Sequence, residues 1–212
     1  SGLTGNGVDF DAGNLSTLTD VSSGEGLNLL DLDALQSDVT VDLTEGRSGV
    51  TFDGAGTSGF DLNSGTDGPT ITIQNFDDTS GSGDELGFAN DDTVNRVDAI
   101  GTGSPLTSNT NVVFFNNSTE VQLPTGELSK APADMDFNAI RDEFEDAALN
   151  VGAPVPGQVF YAIADDGEDT GIFRVTFDET NAGNASIIDD PSDITEIAFL
   201  GKLEDVEAAN AA

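Results

Sequence analysis

The chain has 212 residues, 40 Asp+Glu against 6 Lys+Arg for a formal net charge of −34, and neither Cys nor His. A small soluble domain carries a net charge of about 2–8 in magnitude, so nucleic acid and anionic membranes are poor partners for this one. Without Cys or His the chain has no disulfide, no thiol nucleophile, no Ser-His-Asp triad and no His-ligated zinc.

The length suits one large or two small domains. No apolar run reaches the roughly 20 residues that a membrane-crossing helix needs. The sequence opens SGLTGNG, without Met or a basic-then-apolar leader. It therefore reads as a processed product, or as one exported by a route that uses no N-terminal signal.

In chain order, residues 1–26 are rich in Gly, Asn, Ser and Thr, with scattered apolar positions at Val8, Phe10, Leu15 and Leu18. They read as an extended arm, held by strand addition to a neighbouring copy or packed on its own domain. From Leu27 short apolar segments recur every ten or eleven residues: 27–32, 39–43, 50–52, 60–62 and 71–76. Turn residues separate them, which suits stacked rungs or antiparallel hairpins equally. Residues 77–111 are turn-dense, with strands expected at 85–88 and 94–100. The apolar run at 112–115 predicts a buried strand, followed by a hairpin turn at Asn116-Asn117 and a strand at 120–123. Phe137, Ile140 and Phe144 recur at helical spacing behind Asp134 or Asp136 as N-cap. Apolar runs at 160–164, 172–177 and 194–200 complete the pattern. The expected fold is mainly β, with β-sandwich or β-solenoid-like strands and one amphipathic helix at about 134–149. The segments group as an arm (1–26), a β-rich region (27–128) and a helix with a C-terminal β module (129–212), the last two separate or continuous.

The acidic excess has three candidate explanations: disorder, salt adaptation and calcium. Hydrophobic residues make up 36% of the chain and fall in ordered runs, which argues against disorder. Asp outnumbers Glu by 28 to 12, mostly beside Gly, Asn, Ser or Thr. Short carboxylates in turns suit calcium, which takes about 6–8 oxygen ligands. Salt adaptation alone would not favour Asp over Glu. Three clusters qualify as candidate metal sites: Asp165, Asp166 and Asp169 between two strands; Asp189, Asp190 and Asp193 with Glu196; and Asp77, Asp78 and Asp84 with Asp91-Asp92. No Lys or Arg stands close in sequence to neutralise them. Each also has a plainer reading as an exposed acidic turn. Asp178 to Asp189 mimics an EF-hand loop, but Thr180 and Ala182 occupy positions where such loops place Asp or Asn.

Three passages resemble the repeats-in-toxin (RTX) group of proteins exported by type I secretion. LNLLDLDALQSDVTVDLTEG (27–46) is similar to rungs that flank calcium β-rolls in adhesins and surface-layer proteins. TITIQNFDDTSGSGDELGF (70–88) resembles a roll-closing segment, and residues 158–210 resemble a C-terminal RTX module. No intact GGxGxDxUx nonapeptide is present. The resemblance implies an extracellular location, type I export and calcium-dependent folding. The expected function is a secreted calcium-binding structural protein that self-assembles into a filament, sheet or surface layer, possessing no enzyme activity and using residues 1–26 for self-association. The alternatives are a ligand-binding terminal domain of a large adhesin and a carboxylate-based hydrolase.

Overall fold

The computed structural model describes residues 9–11, 20–22, 27–31, 38–43, 47–52, 59–66, 68–77, 83–88, 96–98, 111–115, 122–146, 158–177, 188 and 193–206. Within them the fold is mixed, with strands in two sheets and one α-helix.

The first part of the chain alternates between the sheets. Strands β1 (Asp9–Asp11), β3 (Leu27–Asp31), β5 (Arg47–Phe52) and β8 (Glu85–Phe88) pair in parallel as a four-stranded sheet. Strands β2 (Asp20–Ser22), β4 (Val39–Asp42) and β7 (Ile71–Gln74) pair in parallel in the larger sheet. Asp9 lies opposite Leu29 and Leu29 opposite Gly49, a step of 20 residues each time. Asp20 lies opposite Thr40, again 20 residues on. The ten-to-eleven-residue spacing of apolar segments is thus half of this step. An excursion through β6 (Phe60–Asp61) and its turn interrupts the period before β7. Strands 9–11 and 20–22 of the expected arm belong to these sheets and pair within their own chain.

Beyond β7 the larger sheet continues through β13 (Ile194–Leu203), β12 (Thr170–Phe177), β11 (Gln158–Asp165), β10 (Asn111–Phe115) and β9 (Arg96–Asp98). Of these, β12 runs antiparallel to both its neighbours, while β10 pairs with β11 and β9 in parallel. The hairpin expected between 112–115 and 120–123 does not form among the described residues. Gln122 and Leu123 lie outside any strand; Leu123 donates its amide to the Asp165 carbonyl instead, at 2.9 Å.

Side-chain alternation explains the layers. Val39, Val41, Ile71 and Ile73 are buried on one face while Thr40, Asp42, Thr72 and Gln74 are only partly covered. That face, extended by Tyr161, Ile163, Ile172 and Leu203, forms a core with Val50 and Leu86 of the smaller sheet. Phe160, Ala162, Phe173, Val175 and Ile197 point the other way, into a second core with Leu123, Leu128, Ile140 and Phe144. Ile140 and Phe144 come from α1 (Phe137–Asp146). Asp136 caps it, its Oδ1 accepting the amides of Asn138 and Ala139 at 3.1 and 3.2 Å. Phe144 stacks on Phe115 at 5.2 Å and meets Phe173 edge-on at 5.5 Å.

Candidate functional site

The most developed polar constellation is the hairpin between β11 and β12. The ladder ends at Asp165 opposite Thr170, and Asp166 to Asp169 make the turn. Gly167 turns the chain with φ +89°, a left-handed conformation that suits glycine. Asp166 Oδ1 accepts the amides of Glu168 and Asp169 at 3.1 and 3.0 Å, and its Oδ2 accepts the Leu128 amide at 2.9 Å. Asp165 Oδ1 accepts the Gly167 amide at 3.1 Å and Gln122 Nε2 at 3.3 Å. Asp169 Oδ1 accepts the Asp205 amide at 3.0 Å, and Oδ2 accepts Lys202 Nζ at 2.7 Å.

Three acids of one turn therefore fasten two distant segments. Asp165 and Asp166 hold the 122–128 stretch, while Asp169 holds the end of β13. All are buried, at 1%, 0% and 5% exposure. Lys202 corrects the expectation that this cluster lacks a cationic partner: it lies 33 residues from Asp169 in sequence and reaches it across the sheet. Burial alone would lower the Lys202 pKa. The hydrogen bond and charge of Asp169, helped by Glu204, outweigh that and raise it above its usual value.

The other clusters divide. Asp84 Oδ2 accepts the Asp77 amide at 2.9 Å and the Asp84 amide donates to the Asp77 carbonyl at 2.8 Å, closing the loop between them. Asp193 is fully buried at the entry to β13. Glu196 forms an ion pair with Arg174 on the neighbouring strand at 2.9 Å. Asp78, Asp91, Asp92, Asp189 and Asp190 lie outside the described residues, as does most of the EF-hand-like stretch.

Calcium implied by the RTX resemblance can be tested against these donors. Among the described residues no three carboxylates converge in an arrangement that would hold a metal. Asp166 and Asp169 spend their oxygens on amides and Lys202. Asp165 is different: its Oδ2 is buried and makes no hydrogen bond. A preformed three-acid centre does not fit, and Asp165 Oδ2 is the oxygen of this turn left without a hydrogen bond.

Sequence reasoning missed Lys202, Gln122 and Glu127. The last is buried at 3% exposure and accepts Lys130 Nζ and the Asp136 amide. No local signal marks Lys202 and Gln122, whose partners are set by tertiary contact, whereas Glu127 and Lys130 stand only three residues apart. Comparison with protein-family models, curated proteins and solved structures returned no match.

Proposed function

We propose that the chain is an extracellular, calcium-dependent structural module that joins copies of itself through the end of a parallel β-solenoid. The observation carrying this reading is the 20-residue register step, which ends with both sheets open. Among the described residues β1 pairs with β3 alone and β2 with β4 alone. Open strand edges are templates for further strands. Residues 1–46 carry nine carboxylates and no Lys or Arg, so joined ends repel until a counter-ion intervenes. Calcium, plentiful outside cells, supplies that screening, and the RTX-like passages support the compartment and type I export.

The test is assembly followed by light scattering and electron microscopy in EGTA and in millimolar calcium. Calcium-induced oligomers that revert with chelator are the expected result. Monomers in both conditions would sink the proposal. A second reading, a ligand-binding terminal domain, draws on a groove of about 450 Å³ lined by Phe60, Leu62, Pro132 and Met135. It predicts a calcium-stabilised monomer that binds ligand on a glycan or surface-protein array.

A further inference from the structure

We infer that the bare Oδ2 of Asp165 marks a site for one hard cation, calcium in an extracellular setting, seated where the β11–β12 hairpin meets the end of β13. The inference rests on the calcium-dependent reading above and gives it an address.

Asp165 shares a strand face with Tyr161 and Ile163, and its cross-strand partner is Thr170. Directly opposed residues of an antiparallel pair have Cβ atoms about 4.5–5.5 Å apart, so the Thr170 hydroxyl is the carboxylate's neighbour. Thr170 is fully buried, and its Oγ1 donates to the Val206 carbonyl. That bond consumes the one hydroxyl hydrogen and leaves the lone pairs of Thr170 Oγ1 free to accept. Donors near Asp165 are spent as well: Gly167 N and Gln122 Nε2 both serve Oδ1.

Asp165 Oδ2 is thus left buried without a donor. A buried carboxylate oxygen left so is destabilising. Among the described residues no Lys or Arg is paired with it. Lys202 is committed to Asp169 and Glu204, at 2.7 and 3.4 Å, and Arg174 to Glu196. A carboxylate oxygen with a hydroxyl oxygen on the residue opposite it is the hard-donor chemistry that calcium selects, with water completing its coordination. With a single protein carboxylate as its charged ligand, such a site needs no trio of converging acids. It would also explain why an acidic turn is built into the interior.

Terbium(III) is the probe, because Tyr161 is the single Tyr of the chain and lies on the same strand face as Asp165. Chelator-treated protein titrated with terbium is expected to give Tyr-sensitised emission that calcium displaces. Asp165→Asn should lose that emission, while Asp77→Asn should keep it. Circular dichroism establishes that each variant is folded. Wild-type protein without sensitised emission, or a folded Asp165→Asn that retains it, would overturn the inference. Should Asp165→Asn fail to fold, Thr170→Val decides: it is expected to weaken terbium binding, and undiminished emission overturns the site. Light scattering on the same samples separates the two proposals. Calcium-driven assembly that persists in Asp165→Asn leaves the self-association reading standing without this site, and a terbium site in a chain that never assembles does the reverse.

Discussion

The parallel stack and the layered C-terminal half solve the burial problem in different ways. In the stack, β4 and β7 bury one face and leave Thr40, Asp42, Thr72 and Gln74 partly covered, and the first strands of each sheet pair in parallel with a strand 20 residues away. In the layered half, β11 and β12 are buried on both faces and their partners come from far along the chain. Charge follows the same division. The cations Lys130, Arg141, Arg174 and Lys202 all staple carboxylates in the layered half. In the stack Asp11 and Asp31 stand in register on adjacent strands, an arrangement that like charges disfavour. Repetition makes a stack easy to extend, and non-local packing makes an end that does not extend. Sheet continuity separates the regions too: β7 is flanked by β4 on one side and β13 on the other, while among the described residues the edge strands are β1 and β8 in one sheet and β2 and β9 in the other.

Breaking the layered half should have the largest effect. Phe144→Ala empties a fully buried site between Phe115 and Phe173 and is expected to lose about 3–5 kcal/mol in urea unfolding. Next is the joint between the regions. A Cβ on Gly201 would stand 2.2 Å from the Ile71 carbonyl oxygen, on the strand that β13 joins in parallel. Gly201→Ala should cost about 1–3 kcal/mol and uncouple the halves, so that Tyr161 fluorescence and far-UV circular dichroism no longer unfold together. Coincident transitions would show that the stack does not depend on this joint.

Smaller effects sharpen the electrostatic contrast. Because the Lys202 pKa is raised in the fold, its ion pair contributes fully below the ordinary lysine value of 10.5 and is lost as pH rises through the raised value. Thermal midpoints measured from pH 9 upward should fall more steeply for the wild type than for Lys202→Met, which starts lower. The smallest change concerns Glu143 on α1. Burial, then the charges of Asp146 and Asp142, raise its pKa, so its ionised form is disfavoured in the fold. Glu143→Gln should raise the thermal midpoint slightly at neutral pH. The gain should vanish as pH falls into the raised carboxylate range and the wild-type side chain takes up its proton.

Much of the architecture is legible in residue patterns. Val39/Val41 and Ile71/Ile73 announce one-sided strands by alternation, and 112–115 announces a strand buried on both faces by its lack of it. Phe137, Ile140 and Phe144 mark the helix, and of the two acids offered as its cap, Asp134 and Asp136, the structure uses Asp136. Pairing direction is not legible, since a ten-residue rhythm serves hairpins and parallel rungs alike. Nor is the role of the acids at 165–169. An Asp-Asp-Gly turn looks the same whether its oxygens face solvent, a cation or amides 38 residues away, as Asp166 does with Leu128. The same distance hid Lys202 from any reading of neighbours.

The seam between β7 and β13 also bears on how the chain reaches this fold. Gln74 and Glu204, joined side chain to side chain at 2.7 Å, are 130 residues apart in sequence. The first strand pairs need only 20-residue closures, which form early on entropic grounds, whereas the strand that seals β7 comes from the far end of the chain. During synthesis β7 therefore stands as an open edge until β13 arrives. Unsealed parallel edges in that interval invite pairing between chains. Residues 1–46 carry nine carboxylates and no Lys or Arg, a charge that opposes pairing between nascent copies until the seal closes.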